Sequence, residues 1–236
     1  MTSTILDWDR SLLLWINHTA GQNGVIDRFV FDLSDSTLVK GGIFLTFYWW
    51  LWFADGVIRR RDVVVALAAA IITAILSRVL QVGLPFHMRP LHTPGLSLHV
   101  PLGVDPGSLN AFSSFPSDHS MLFFALCVPI WRHSRWLGAA AMLWTVLLID
   151  LPRIYLGYHF PSDVIAGAVL GIVLMVILCR LIGAMRLPDR VVEFAKVHPA
   201  AFYALAFPVT LELALLFVDL RHFILDAVRL GKMLVA

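Results

Sequence analysis

The sequence predicts an all-α membrane protein: a helical bundle of about six transmembrane helices with a further N-terminal helix at the membrane surface. Of its 236 residues, 59% are hydrophobic and only 14% are charged, whereas soluble domains average about 45–50% and about 25%. The apolar residues are gathered into long runs, which indicates a bilayer rather than a larger soluble core. The net charge of +2 gives no indication of a nucleic-acid partner, so membrane lipids are the expected surroundings.

A helix needs about 20 mainly apolar residues to cross a bilayer. Six segments meet or approach this length, and they cover residues 38–54, 62–83, 117–132, 135–151, 161–182 and 199–219. Residues 8–20 are too short to span the bilayer, and they form either a helix in the membrane interface or a shallow helix of the bundle. Residues 220–236 are a weaker candidate of the same kind. We expect one membrane-embedded domain over residues 1–236, with no cleavable signal peptide at its start.

The basic residues of the loops predict the orientation of the chain. The loops after the first, third and fifth spans carry most of them, namely Arg59, Arg60, Arg61, Arg132, Arg135, Arg180, Arg186, Arg190 and Lys196. The segments 84–115 and 152–160 hold one arginine each. Because short cytoplasmic loops are rich in Lys and Arg, we expect these two segments and both termini on the outer face. The first is long and rich in proline, which is typical of a functional loop.

The tetrapeptide Phe-Pro-Ser-Asp occurs twice, at 115–118 and 160–163, and each copy stands at the start of a predicted span. Proline, serine and aspartate all favour the first turn of a helix. A helix start also presents free N–H groups and a positive dipole end, which together attract an anion. Two well-made helix starts account for the repeat, but they leave His119 and His159 unexplained.

Two arginines and two histidines lie close to these helix starts in the sequence. Arg89 and Arg153 offer forked donors that match phosphate oxygens. One of the histidines, His119 or His159, can attack phosphorus while the other protonates the leaving oxygen. Asp163 follows His159 by four residues across a helix start, so its carboxylate can fold back onto that ring. Order, spacing and a shared side of the membrane together indicate a phosphate-processing site.

At this point the sequence resembles the type 2 phosphatidic acid phosphatase superfamily. That family combines Lys, six residues and Arg-Pro; then Pro-Ser-Gly-His; then Ser-Arg, five residues, His, three residues and Asp. The matching residues lie within 78–163, in the same order and with the same spacing, and they are Arg89, Pro90, Pro116, Ser117, His119, Arg153, His159 and Asp163.

The resemblance implies an all-helical bundle that needs no metal or other cofactor and forms a phosphohistidine on His159. It implies that His119 is the general acid and that Asp163 orients His159. It also implies three phosphate ligands: Arg89, Ser117 and Arg153.

The sequence departs from the family pattern in three places. Val82 stands where the family has its lysine, and Arg78 lies one helical turn earlier on the same face. Arg78 either does the work of that lysine, as a fourth phosphate ligand, or pairs with an acid on a neighbouring helix. Asp118 replaces the usual glycine and either points away as a first-turn acid or binds an arginine. Pro152 replaces the serine before Arg153, which removes one possible phosphate hydroxyl.

Asp118 and the missing lysine also occur in bacterial undecaprenyl diphosphatases of the bacitracin-resistance type, which this sequence resembles in layout as well. The likeness implies undecaprenyl diphosphate as substrate, a place in the bacterial inner membrane and an active site facing the periplasm or the outside. The alternatives are another lipid phosphate (phosphatidylglycerol phosphate, phosphatidic acid or lipid A) and a non-catalytic lipid-phosphate carrier. The sequence leaves the oligomeric state open.

Four further residues have local roles to be decided. Gly167 and Gly171 form a GxxxG on the fifth span, which favours either close packing inside the bundle or a dimer interface. Asp150 either orients Arg153 or caps the end of the fourth span. His87 is either a contact to substrate or a solvated loop histidine.

Overall fold

The computed structural model describes residues 7–54 and 57–218, and every regular element in that part of the chain is helical. This confirms the predicted all-α fold. The α-helices of the described residues are α1 Asp7–Asn17, α2 Gly24–Asp35, α3 Ile43–Phe53, α4 Val57–Gly83, α5 Asp118–His133, α6 Arg135–Trp144, α7 Leu151–Tyr155, α8 Pro161–Gly183, α9 Leu187–Val197 and α10 Pro199–Ala214. Short π-helical segments precede α3 (Leu38–Gly42) and join α6 to α7 (Thr145–Asp150), and a 3-10 turn covers Pro90–His92.

Three helical stretches in the described residues are long and apolar enough to cross a membrane: Arg59–Gly83, Arg135–Tyr155 and Pro161–Gly183. They confirm three of the six predicted spans. The other three segments also form helices, but α3 has 11 residues and α5 and α10 have 16 each. Since about 20 residues are needed to span the bilayer unaided, the count of six stays a prediction.

The N-terminal region holds more helix than the sequence predicted. Helix α1 overlaps most of the expected segment 8–20 and begins one residue before it, exposing Trp8 and Trp15 while burying Leu13. Helix α2 lies in a region left without an element, and so does α9. Both are short helices that mix charged and apolar residues, so neither has the continuous apolar run by which the spans were found. Residues 220–236 lie outside the described residues.

Helix α5 runs through the centre of the bundle and packs closely against α8. A Cβ added at Gly171 would come within 2.0 Å of the Met121 carbonyl oxygen, and one added at Gly167 within 2.5 Å of the Ser117 carbonyl oxygen. Only glycine allows the two backbones to approach this closely. The GxxxG pair therefore serves packing inside the bundle, which confirms one of the two predicted roles.

Hydrogen bonds tie the long segment between α4 and α5 to the N-terminal helices. Asp27 on α2 accepts from the Leu102 backbone N–H at 3.0 Å and from the Tyr155 hydroxyl at 2.5 Å. Asn17 at the end of α1 donates to the Tyr155 carbonyl at 2.9 Å and to the His99 carbonyl at 2.8 Å. The loop, α1 and α2 are thereby fixed around α7, at the end of the bundle where α5 and α8 begin.

Candidate active site

Helices α5 and α8 begin side by side. The Ser117 backbone N–H donates to the Asp163 carbonyl oxygen at 3.2 Å, and the Asp163 carboxylate accepts from the Phe160 N–H at 2.8 Å. Both copies of Phe-Pro-Ser-Asp therefore begin a helix, as predicted, although in different registers. Helix α5 begins at Asp118, the fourth residue of its copy, whereas α8 begins at Pro161, the second of its copy.

His159 lies just before α8 and is 1% exposed. Its Nδ1 is 2.9 Å from the Ser114 carbonyl oxygen and 3.8 Å from Asp163 Oδ2. A carbonyl oxygen can only accept, so Nδ1 carries the proton and Nε2 keeps its lone pair. Nε2 lies 3.4 Å from Arg89 Nη1. The tautomer set by these contacts presents a free nitrogen beside a guanidinium group, as attack on a phosphate requires.

Asp163 lies between two imidazole rings. Its Oδ2 accepts from the Phe160 N–H and from the Ser114 hydroxyl, while its Oδ1 faces His87 Nδ1 at 3.4 Å. The Ser114 carbonyl is closer to His159 than this carboxylate is, so it makes the direct orienting hydrogen bond. Sequence reasoning missed Ser114, which stands outside the family motifs, and it left the role of His87 open.

Arg89 is buried, and its guanidinium donates hydrogen bonds to backbone carbonyls of the protein. Its Nε, Nη1 and Nη2 donate to the backbone carbonyls of Phe112, Tyr158 and Ser113 at 3.2, 2.7 and 3.2 Å. These bonds join the loop before α5 to the loop before α8. We call this part of the site the His159 end, and it comprises His87, Arg89, Ser114, His159 and Asp163.

Three ionisable groups of the His159 end lie in loops outside the spans, and their environment shifts their pKa values. Burial lowers the pKa of His159, which keeps the imidazole neutral and nucleophilic near pH 7. Burial also lowers the pKa of Arg89, whose ordinary value is high enough for the group to stay charged. The Asp163 carboxylate, 3.4 Å from His87 Nδ1, raises the pKa of His87. The two histidines on either side of Asp163 are therefore shifted in opposite directions.

Asp118 holds the second catalytic candidate, His119. Its Oδ1 is 2.9 Å from His119 Nδ1, and its Oδ2 is 2.6 Å from Arg78 Nη2. Arg78 also donates to Gln81 at 2.8 Å, and Gln81 donates to the Pro116 carbonyl at 2.9 Å. Of the alternatives left open by the sequence, Asp118 binds an arginine and Arg78 pairs with an acid on a neighbouring helix. A carboxylate on Nδ1 stabilises the protonated ring of His119 and leaves its Nε2 to face a substrate.

Arg153 makes fewer hydrogen bonds to the protein than Arg89 does. Arg153 is 8% exposed; its Nη2 lies 3.5 Å from the Ser34 carbonyl, and its Nε has no hydrogen-bond partner among the described residues. Asp150 accepts from the Ser120 hydroxyl at 2.6 Å, and the Ser120 oxygen is 3.2 Å from Ser117 Oγ. The other oxygen of Asp150 is also without a partner in the described structure. We call this part the Arg153 end, and it comprises Ser117, His119, Asp150 and Arg153.

The structure gathers the predicted site residues at one end of the bundle. They come from the end of α4, the loop after it, the starts of α5 and α8, and α7, and they are Arg78, Arg89, Ser117, His119, Arg153, His159 and Asp163. Val82, at the position of the family lysine, is 87% exposed on the outside of α4. Among the described residues, no group of three or more His, Cys, Asp or Glu side chains is arranged to hold a metal ion.

The apolar helices of the fold and the family to which the chain belongs define the protein as a membrane phosphatase. The chain belongs to the PAP2 superfamily, whose family model matches residues 62–186, just over half of its length. That range contains all of the family motifs found in the sequence.

Two relatives and one solved structure show how far the similarity extends. The bacitracin transport permease protein BcrC of Bacillus licheniformis is 28% identical over 161 residues, which cover 67% of this chain and 72% of the relative. The undecaprenyl-diphosphatase BcrC of Bacillus subtilis is 24% identical over 163 residues, covering 67% and 76%. The crystal structure of Aquifex aeolicus LpxE has a TM-score of 0.59 at 22% identity, covering 76% of this chain and 99% of that one. This structural likeness concerns the fold.

Proposed function

We propose that this protein is a lipid diphosphate phosphatase that converts undecaprenyl diphosphate to undecaprenyl phosphate through a phosphohistidine on His159. The observation that carries the proposal is the state of this ring, with Nδ1 held by the Ser114 carbonyl and Nε2 open beside Arg89. The Bacillus subtilis relative is named an undecaprenyl-diphosphatase, which supports this choice of lipid.

In the first step, His159 Nε2 attacks the terminal phosphorus of the diphosphate. A P–N bond forms as the bond to the bridging oxygen breaks, and the lipid monophosphate leaves with a proton from His119 Nε2. Arg89, next to the attacking nitrogen, stabilises the charge that develops on the transferred phosphoryl group. Because its contacts to three carbonyls hold Arg89 in place before substrate binds, little reorganisation is needed at this moment.

In the second step, water attacks phosphorus and the P–N bond breaks. His119, neutral after the first step, accepts a proton from the water, so inorganic phosphate is released and both rings return to their starting states. Asp118 supports both roles of His119, since its carboxylate fixes the Nδ1 proton and stabilises the protonated ring.

We further propose that the site faces the periplasm or the outside of a bacterial inner membrane. At the opposite end of α4, α5 and α8, four arginines line a cavity of about 690 Å³, namely Arg59, Arg61, Arg132 and Arg180. Basic residues of this kind mark the cytoplasmic face. The site residues lie at the other end of the same helices, which supports an extracytoplasmic site.

The test is phosphate release from undecaprenyl diphosphate by protein purified in detergent, with and without a metal chelator. We expect turnover in both conditions, and a loss of about 10⁴-fold or more in His159→Ala, as for the loss of a catalytic nucleophile. The control is His198→Ala, since His198 is exposed at the start of α10, away from the site. Substrate labelled on its terminal phosphate, quenched in base, should leave the label on wild-type protein and not on His159→Ala. A strict metal requirement, or a His159→Ala protein with full turnover, would overturn the mechanism.

Two alternatives are decided by the same preparation. A panel containing phosphatidylglycerol phosphate, phosphatidic acid and lipid A shows whether another lipid is turned over faster. A non-catalytic carrier is the second candidate, favoured by the word permease in the name of the Bacillus licheniformis relative. A carrier would bind the lipid phosphate in both wild-type and His159→Ala proteins and release inorganic phosphate in neither.

A further inference from the structure

Lys40 carries a buried positive charge to which the site described above gives no role. The residue is 9% exposed, and its ammonium forms no hydrogen bond or ion pair within the described part of the chain. Burying an unpaired ammonium group is costly, because the water it loses is not replaced. An anion that binds beside it would remove that cost. The location of Lys40 relative to the active site indicates which part of the substrate this anion is.

The backbone around Lys40 fixes it beside the Arg153 end. Lys40 lies in the π-helical segment Leu38–Gly42, which packs against the other π-helical segment, Thr145–Asp150. The Trp144 indole N–H donates to the Val39 carbonyl at 2.9 Å. On the other side, Gly41 is pressed against α10, since a Cβ there would meet Ala214 Cα at 2.3 Å. Both sides of the segment are therefore fixed, and Lys40 lies next to the π-helical segment that leads into α7, the helix that carries Arg153.

The electrostatic neighbours of Lys40 agree with this placement. The charges that act on its ammonium are those of Arg153, Asp35 and Asp118, and Lys40 in turn acts on His119. The main charges acting on His159 are Arg89, Asp163 and Asp118, so only Asp118 is common to both sets. Lys40 therefore belongs with the proton donor of the proposed reaction rather than with its nucleophile.

Neither Val82 nor Arg78 supplies an unpaired positive charge in place of the family lysine. Val82, at the lysine position, is apolar and exposed. Arg78 binds Asp118 through Nη2 at 2.6 Å and donates to Gln81 through Nη1 at 2.8 Å. Arg153 has an unpartnered Nε, so it and Lys40 together offer free donors at the same end of the site.

We propose that Lys40 and Arg153 together bind the lipid-linked phosphate of a diphosphate substrate, the phosphate that departs as the leaving group. This inference rests on the proposed function and makes Lys40 the residue that favours diphosphates over monoesters. In a diphosphate, the leaving phosphate gains negative charge as the bridging bond breaks beside His119, and the ammonium stabilises it. In a monoester, the leaving group is an alcohol, so no second phosphate reaches Lys40.

The test compares Lys40→Met with wild type on farnesyl diphosphate and on farnesyl phosphate, which share one lipid chain. We expect kcat/KM for the diphosphate to fall about 10- to 100-fold, the size expected for a lost charge-assisted hydrogen bond. For the monophosphate we expect a change below about 3-fold, and Lys40→Arg should recover most of the diphosphate activity. Lys196→Met is the matched control, because Lys196 on α9 is partly exposed and pairs with Glu193.

Two further measurements keep the outcome decisive. In a His159→Ala background, Lys40→Met should weaken binding of farnesyl diphosphate and leave that of farnesyl phosphate unchanged, whether or not wild type hydrolyses the monophosphate. Without substrate, Lys40→Met should unfold at the same or a higher temperature than wild type, since a buried unpaired charge is removed. An equal loss on both substrates, or no loss on either, would overturn the role of Lys40. Absence of phosphate release by wild-type protein would instead overturn the proposed function.

Discussion

The two buried arginines of the active site, Arg89 and Arg153, differ in how far the protein itself satisfies their hydrogen-bond donors. At the His159 end, Arg89 donates to three backbone carbonyls and the Nδ1 of His159 donates to a fourth. Arg153 makes one long hydrogen bond, to the Ser34 carbonyl at 3.5 Å, and its Nε is buried without a partner in the described structure. Buried polar groups in folded proteins are almost always paired, so the unpaired Nε of Arg153 indicates where an anion binds.

The difference teaches how one site both positions a nucleophile and receives a substrate. A nucleophile works best when its neighbours are fixed before substrate arrives, because no reorganisation is then needed during the reaction. A binding group must instead keep its donors free for the ligand. We therefore expect substitution of Arg89 to damage both rate and fold, and substitution of Arg153 to damage binding and rate with little effect on the fold.

We expect the largest effect on kcat from Asp163→Asn, which tests the positioning of His159. The amide keeps an oxygen for the Phe160 N–H and the Ser114 hydroxyl but removes the negative charge beside His159. We expect kcat to fall about 10²- to 10⁴-fold, as when a catalytic histidine loses its carboxylate partner, with the fold retained. Phosphate release and thermal unfolding, measured on the same sample, check both parts.

Asp9→Asn is the matched control for Asp163→Asn. Asp9 on α1 also binds the start of α8, accepting from the Ser162 N–H at 2.9 Å and from its hydroxyl at 2.6 Å. It contacts neither histidine by hydrogen bond, so its loss should leave kcat nearly unchanged. If Asp163→Asn kept kcat within about 3-fold of wild type, the carboxylate would have only a structural role.

A second prediction compares the two buried arginines directly. Arg89→Ala leaves three carbonyls without their donor, at a cost of about 1–3 kcal/mol each, so we expect a loss of about 3 kcal/mol or more in the free energy of unfolding. For a protein of this size that lowers Tm by about 6–12 °C. Arg153→Ala removes one long hydrogen bond, and we expect Tm to change by about 2 °C or less. Both variants should lose phosphate release.

The comparison is made by thermal unfolding of the two alanine variants in the same detergent. Unfolding is followed by the fluorescence of a thiol-reactive dye or of tryptophan. The corresponding lysine variants separate charge from geometry, since lysine keeps the charge but cannot reach three carbonyls. Should Arg153→Ala lower Tm as much as Arg89→Ala does, the contrast between the two arginines would disappear.

The sequence predicted those parts of the site that depend on neighbouring residues. Arg153, His159 and Asp163 lie within eleven positions around one helix start, so spacing alone indicates that they meet. Ser114 and Lys40 reach the site through long-range packing, so their spacing in the sequence does not predict that they lie there. A lysine inside the apolar run 38–54 was nevertheless a signal, because charges within such runs are usually functional.

Long apolar runs in the sequence predicted helices that the structure contains. Short helices that mix charged and apolar residues were not predicted. The runs 62–83 and 161–182 correspond to α4 and α8, whose ends were predicted to within a few residues. Helices α2 and α9 have 12 and 11 residues with charged and apolar positions mixed. Tertiary contacts hold both helices, such as that of Asp27 on α2 with Tyr155 and that of Asp189 on α9 with Arg61, and such contacts are not encoded in any local run.

The smallest expected effect concerns His87, whose pKa is raised by the Asp163 carboxylate while burial lowers that of His159. A raised pKa in the folded state means that protonated His87 stabilises the fold below about pH 6.5. This contribution is lost as pH rises through the raised value. His159 acts in the opposite sense, because its lowered pKa makes the fold less stable as pH falls below about 6.5.

His87→Gln removes the first contribution and leaves the second, so comparing it with wild type isolates His87. The groups that face this ring are Asp163 on α8 and, more weakly, Asp9 on α1. We expect the variant to unfold about 2–4 °C below wild type at pH 5–6, as for a change near 1 kcal/mol, and the gap to close by about pH 9. Tm measured across this range checks the sign. A gap that widened as pH rose would mean that His87 binds Asp163 as a neutral ring, and the His159 end would then contain no cation besides Arg89.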